Sequence, residues 1–344
     1  IDKNGRAVDQ AKIFLNNGLG SGSFQLANSL NSGVYILRAY TNWMKNNDAS
    51  FFFEQPITII NTLKSNESEA VRKNGAPDIQ FFPEGGSLVS GCTNKVAFKV
   101  VTSDGRGASF TGKIIDSHNN VVVENLKPLK FGMGNFVFNP TAGERYTAVL
   151  TIGSALYTKE LPSVEANGYS MLLENANNTS LMLTVSTVGI KDENVNLLIH
   201  TGGKINVAQQ KNVSNGKAVF NFSADDLGEG ISHLTVFNER NVPVAERLYF
   251  KQPKELLSIT TKTESSTTQP RQKVAVDVST TSGSSSLPAN LSVSVFKVDS
   301  LQSENAINII SYLWLTSELK GSIESPGYYF SSGSTEVNEA NDNL

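Results

Sequence analysis

The run Phe81-Phe82-Pro83-Glu84-Gly85-Gly86 comes nearest to a ligand loop, because adjacent glycines let successive backbone N–H groups turn toward one anion. A phosphate loop also needs Gly-Lys-Ser/Thr and a helix whose N-terminus faces the anion, and neither follows Gly86. The run therefore reads as a bend where a first strand changes sheet. Three histidines, His118, His200 and His233, are the candidates for metal or general-base chemistry. None lies in a His-Glu-x-x-His phrase. His200 or His233 could meet a serine and an aspartate in space, but no Gly-x-Ser-x-Gly elbow supports a nucleophile, so surface or half-buried positions are expected. The single cysteine, Cys92, excludes an internal disulfide framework and a Cys-based zinc site, and it should pack as a small apolar residue.

Asp225-Asp226 is the most acidic adjacent pair and reads as a solvated, turn-forming loop. A glycosidase pair of carboxyls can be far apart in a chain, so a hydrolase with dispersed carboxylates stays open as an alternative. The triplets Phe51-Phe52-Phe53 and Tyr328-Tyr329-Phe330 could stack on sugar rings or face a protein. Alternation along a strand would bury at least one member of each. These six residues are the candidate partner-binding surface. The expected inventory is otherwise empty: no catalytic residue, no metal ligand and no cofactor.

The elements that would hold these residues are short and alternating. Val34-Tyr35-Ile36-Leu37, Val96-Ala97-Phe98-Lys99-Val100, Tyr146-Thr147-Ala148-Val149-Leu150, Val195-Asn196-Leu197-Leu198-Ile199 and Leu291-Ser292-Val293-Ser294-Val295-Phe296 read as strands. Asn-Gly, Asp-Gly and Gly-Gly turns separate them at intervals of roughly 8–12 residues, the spacing of antiparallel sandwiches. A helical period occurs once, over 303–319, where Ile307, Ile310, Leu313, Trp314 and Leu319 recur.

A weak internal repeat organises the chain. Gly22-Ser23-Phe24 leads to Gly33-Val34-Tyr35, Gly134-Asn135-Phe136 leads to Gly143 and Tyr146, and Gly216 with Phe220 leads to Gly230 and Leu234. The repeat predicts that Phe24, Tyr35, Phe136, Tyr146, Phe220 and Leu234 are all buried. It also predicts all-β architecture, a series of immunoglobulin-like sandwiches with one helix near the C-terminal end. The expected spans are a partial domain at 1–60, a polar linker at 61–77, sandwiches at 78–164 and 168–253, a fourth β domain at 255–330 containing helix 303–319, and a tail or linker at 331–344.

Composition narrows the function classes. With 344 residues, 39% hydrophobic and 18% charged, the chain is neither disordered nor collagenous nor an integral helical membrane protein. Lys and Arg total 29 against 32 Asp and Glu, with a pI near 5.8, so nothing marks a nucleic-acid or anionic-lipid partner. The longest apolar run, near Ile309–Leu315, is interrupted by Ser311 and is too short to span a bilayer. The chain opens at Ile1-Asp2-Lys3-Asn4-Gly5, a turn with hardly a strand before it, which leads us to expect a truncated first domain and any secretion signal outside this sequence.

Phe81-Phe82-Pro83-Glu84-Gly85-Gly86-Ser87-Leu88-Val89, with Asn94–Lys99 and Asp104-Gly105-Arg106-Gly107, resembles the macroglobulin-like domain of the alpha-2-macroglobulin and complement superfamily. Gly33–Met44 and Ser317-Glu318-Leu319-Lys320-Gly321, continuing to Pro326-Gly327-Tyr328-Tyr329-Phe330, resemble Bacteroidetes-type cell-envelope proteins. Those proteins carry macroglobulin-like domains ahead of a domain similar to the plug of TonB-dependent receptors. The resemblance covers nearly the whole chain and rests on structural phrases. It implies a non-catalytic extracytoplasmic interaction scaffold in the periplasm or at the outer membrane, with a protein partner in the cell envelope and a glycan-binding surface module as the alternative. The sequence stops before a plug would begin. Cys92 lies in Gly91-Cys92-Thr93-Asn94 and not in a thioester Cys-Gly-Glu-Gln phrase, so covalent trapping does not carry over.

Overall fold

The computed structural model describes residues 1–2, 5–64, 75–103, 105–176, 179–293, 295, 308–331 and 334–344. The chain divides into a unit of Ile1–Lys73 with Ser292–Ala306 and a larger unit of Asn74–Leu291 with Ile307–Leu344. Strands dominate the larger unit.

The smaller unit holds one hairpin, β1 (Gly33–Ala39) against β2 (Phe53–Ile59), with Tyr35 opposite Ile57. Two single 3-10 turns, Trp43–Asn46 and Ala49–Phe51, connect the strands. Tyr35 is buried, but Val34, Phe53 and Ile57 stay exposed. The repeat's burial rule fails at Phe24, which is 43% exposed. Gly22–Leu26 forms no strand, and without a paired backbone the alternation has no face to point toward a core. The linker expected at 61–77 lies largely outside the described residues.

In the larger unit, β3 (Asp78–Pro83), β4 (Leu88–Val89), β5 (Asn94–Val101), β6 (Thr111–Ile115), β7 (Val121–Leu126), β8 (Met133–Phe138), β9 (Thr147–Ile152), β10 (Ala155–Glu160) and β11 (Val164–Glu165) build the first sandwich. Its sheets run β3-β5-β8 and β10-β9-β6-β7, with β4 and β11 paired in parallel. Along β5, Val96, Phe98 and Val100 point inward while Lys95, Ala97 and Lys99 are half-exposed. They meet Ile114, Phe136, Ala148 and Leu150 in one core.

A second sandwich follows the same logic. Its strands are β12 (Gly168–Asn175), β13 (Ser180–Val188), β14 (Asn194–Thr201), β15 (Lys204–Asn212), β16 (Lys217–Ser223), β17 (Gly230–Phe237) and β18 (Pro243–Lys251). Sheets β12-β13-β16 and β15-β14-β17-β18 enclose Met171, Leu183, Leu197, Ile199, Phe220 and Leu234. Each such side chain contributes about 1.5–3 kcal/mol of burial.

Beyond it, β19 (Ser258–Thr263), β20 (Val276–Ser282) and β21 (Ser285–Ser286) form a single sheet in which Ile259, Val276 and Val278 remain exposed. Among the described residues no second layer covers it. Thr and Ser occupy both faces, which leaves little apolar area to bury.

The C-terminal part departs from the sequence expectation twice. Within the described part of the expected helix 303–319, α1 (Ile309–Ser311), capped by Asn308 accepting from Ser311 N at 2.9 Å, runs into a π-type turn at Tyr312–Thr316. Residues 301–307 lie outside the described residues. The expected tail instead contains the longest helix among the described residues, α2 (Thr335–Asn343), with Ser334 capping at 3.2 Å and Val337, Ala340 and Asn343 buried. Val337, Ala340 and Leu344 repeat at i, i+3 and i+7, a narrow apolar stripe hidden among acidic and amide residues.

Candidate interaction site at the sandwich junction

The C-terminal segment fills the seam between the two sandwiches. Met133 of the first and Ile231 of the second share a core with Leu315, Tyr329 and Ala340. Tyr329 is fully buried. Its neighbours pack edge-on, with Phe131 to Tyr328 at 5.2 Å and 89° and Phe250 to Phe330 at 5.6 Å and 84°. Gln252 donates to the Tyr329 carbonyl at 3.0 Å.

This arrangement removes Tyr329 from the expected partner surface Tyr328-Tyr329-Phe330 and leaves Tyr328 and Phe330 only partly accessible. Pro326–Phe330 is a 3-10 turn, not a strand, so its side chains radiate into the seam instead of alternating. Tyr329 is consumed entirely, and Tyr328 and Phe330 are half-buried. Tyr328 donates to Glu336 at 2.7 Å, and that bond pushes its phenol up to about 12. In the smaller unit, Phe52 stacks on Tyr40 with centroids 4.5 Å apart, leaving Phe51 and Phe53 60% and 55% exposed. Those two keep an outward position.

A polar cluster closes the seam, and sequence reading missed it. The Phe81–Gly86 bend does redirect the chain from β3 to β4, with Gly85 and Gly86 at φ +84° and +99°. It also docks on the second sandwich. A Cβ on Gly85 would lie 2.8 Å from the Met171 Cβ, so only glycine lets the bend sit this close. The neighbouring Glu84 carboxylate accepts from Leu173 N at 2.7 Å and from Arg247 of β18. The other arm of the Arg247 guanidinium donates to Asp342 of α2, which Lys95 of β5 also meets. Only 7% of the Glu84 side chain and 9% of the Arg247 side chain reach solvent.

Burial pushes the Glu84 carboxyl above its ordinary range, against the pull of Arg247. Asp342 is also partly desolvated, yet Arg247 and Lys95 hold it below the ordinary aspartate range. Asn135 Nδ2 donates to Asn343 Oδ1 at 2.6 Å, and Gly107 N donates to the Glu324 carboxylate at 2.7 Å, adding links between the first sandwich and the C-terminal segment.

The remaining candidates separate. His118 is exposed, 3.6 Å from Glu144. His200 and His233, scattered in sequence, stand opposite each other on β14 and β17 with ring centroids 4.8 Å apart and planes 7° from parallel. His233 Nδ1 lies 3.1 Å from Glu246. Among the described residues no three His, Cys, Asp or Glu side chains converge as a metal site. The half-buried Cys92 thiol is raised by burial. Asp225 pairs with Lys254 at 2.9 Å, which lowers its carboxyl, while Ser223 caps the short turn by accepting from Asp225 N and donating its own N–H to the Asp226 carboxylate.

Two further concavities are found among the described residues: one of about 370 Å³ on the first sandwich, lined by Gly143–Arg145 and Glu160–Val164, and one at the end of the second. The β14–β15 hairpin, Gly228–Gly230 and the Leu313–Glu318 turn line an open recess of about 350 Å³.

No family model matches the sequence, and no curated protein matches it. Among solved structures, a tetra-tandem repeat from the extending region of a large adhesion protein matches at 12% identity and TM-score 0.24, covering 74% of this chain and 64% of that one. Domains 4–9 of the surface-layer protein SbsC match at 13% identity and TM-score 0.28, covering 68% and 37%. Salmonella alpha-2-macroglobulin reacted with methylamine matches at 10% identity and TM-score 0.20, covering 81% and 22%. This chain spans only 24% of a Bacteroides uniformis beta-glucuronidase that also matches, at 8% identity and TM-score 0.18.

Proposed function

We propose that this chain is a non-catalytic, extracytoplasmic interaction scaffold whose two central sandwiches are held at a fixed angle by the C-terminal segment. The observation that carries the reading is the seam itself. Sandwiches joined by a linker alone move independently unless the interface is apolar and well packed. Here Met133, Ile231, Leu315, Tyr329 and Ala340 form a shared core, and Glu84, Arg247 and Asp342 close it. A rigid pair presents its outer sheet faces in one geometry, which suits a partner that reads both at once. A few anchors would then carry most of the affinity.

The finer setting rests on the sequence resemblance. Macroglobulin-like phrases of envelope proteins support a place in the periplasm or at the outer membrane, within a transport or assembly system, with a protein as partner. Among the described residues no helix is long and apolar enough to cross a membrane.

The test has two arms. The protein is isolated from detergent-solubilised membranes, and a stoichiometric partner is expected whose association weakens when Arg247 is replaced by alanine. The purified chain is also screened against glycoside, ester and peptide substrates. Turnover abolished by one Asp or Glu substitution would overturn the scaffold reading.

A further inference from the structure

We infer that the recess beside Trp314 is a binding site for a neutral sugar residue of a glycan. It adjoins the seam, since Gly230 and Trp314 are the chain neighbours of Ile231 and Leu315, but it does not rest on the scaffold reading. Its volume of about 350 Å³ falls in the range of small-molecule sites. Its floor is made by backbone: Gly230, at φ +87°, lies so close to the indole that a Cβ there would sit 3.2 Å from the Trp314 Cε3. The half-buried indole therefore rests on bare main chain while still lining the cavity. An aromatic plane of this kind takes the C–H face of a pyranose ring.

The polar groups select the ligand. Lys204 offers donors, while Glu229 and Glu318 offer acceptors. Glu229 Oε1 already accepts from Lys254 N at 3.0 Å, which orients the carboxylate and leaves its second oxygen for a hydroxyl. Thr201 bonds Asn206 at 2.9 Å, Ser232 at 2.7 Å and Gly228 N at 3.2 Å, so the opposite wall is set before any ligand arrives. Two carboxylates against one lysine disfavour phosphate and nucleotide. A ring with several hydroxyls, each able to donate and accept, matches acceptors and donors around one aromatic plane.

The chain has two tryptophans, Trp43 and Trp314, and Trp43 is 79% exposed in the smaller unit. Replacing it (Trp43→Phe) makes Trp314 the sole indole reporter. That variant is titrated with maltotriose, mannotriose, galactotriose and chitotriose while emission is followed. A saturable change with at least one sugar is expected, weakened about tenfold or more by Lys204→Ala with Glu318→Ala, two exposed positions whose loss leaves the thermal midpoint in place. No saturable change with any of the four up to about 10 mM, or equal binding by the double variant, would overturn the proposal. Release of reducing ends from a bound sugar would overturn it as well, because the site would then be catalytic.

Discussion

Arg247 and Glu84 stand 163 residues apart in sequence and form a buried ion pair that fastens the edge strand of one sandwich to the first bend of the other. The pair is extended on one side by Asp342 and on the other by the Leu173 amide. The second Glu84 oxygen is buried without a hydrogen-bond partner among the described residues.

Removing Arg247 alone strands the Glu84 carboxylate in the seam, while Asp342 keeps Lys95. Arg247→Ala should therefore cost about 3–5 kcal/mol in denaturant unfolding. Replacing the pair together, Glu84→Leu with Arg247→Met, should recover most of that loss, because well-packed apolar side chains match a buried ion pair in stability. A double variant as damaged as the single one would mean that the charges themselves hold the seam.

Tyr329 separates packing from hydrogen bonding. Its ring is fully buried and its hydroxyl has no hydrogen-bond partner among the described residues. Tyr329→Ala should cost about 3–5 kcal/mol. Tyr329→Phe should be neutral or stabilising by thermal melting, since it removes an unpaired buried polar atom.

Acid should loosen the C-terminal helix through Asp342. Its folded-state pKa lies below the ordinary value, so its contribution is complete above the unfolded pKa of about 3.9 and is lost as pH falls through the folded one. Glu84 runs the opposite way, because burial raises its carboxyl and favours the protonated form. Comparing wild type with Asp342→Asn isolates the first effect. The thermal midpoint of wild type should exceed that of the variant near about pH 6, and the gap should close toward about pH 3. A gap that stayed constant would remove Asp342 from the linkage.

The sandwiches were legible in the sequence because their information is local. In β5 the alternation of Val96, Phe98 and Val100 with Lys95, Ala97 and Lys99 specifies a buried face without reference to any other strand. The Phe-Pro-Glu-Gly-Gly bend was legible for the same reason. Its function was not, since Glu84 acquires meaning only from Arg247 and Asp342, which register and docking bring in. His200 and His233 show the same limit, as only the pairing of β14 with β17 stacks them. Tyr328–Phe330 follows no strand alternation, because these residues form a 3-10 turn that the local residue types do not announce. In α2 the stripe Val337, Ala340 and Leu344 is too thin to stand out among polar residues, and the seam that it covers is formed by distant parts of the chain.

The repeat itself can be tested by substituting equivalent positions. Phe220 and Phe24 follow the same glycine phrase, but Phe220 is fully buried between the sheets of the second sandwich and Phe24 is 43% exposed. If sequence equivalence governed energetics, alanine at either would cost the same. Burial governs instead, because the loss comprises the transfer of the ring and the cavity it leaves, and an exposed ring leaves no cavity. Phe220→Ala should cost about 3–5 kcal/mol, and Leu234→Ala on the facing sheet about 2–5 kcal/mol. Phe24→Ala should stay within about 1 kcal/mol. Urea denaturation of the three variants checks the ordering. A loss at Phe24 as large as at Phe220 would show that residues 20–32 pack as a strand of a completed first domain.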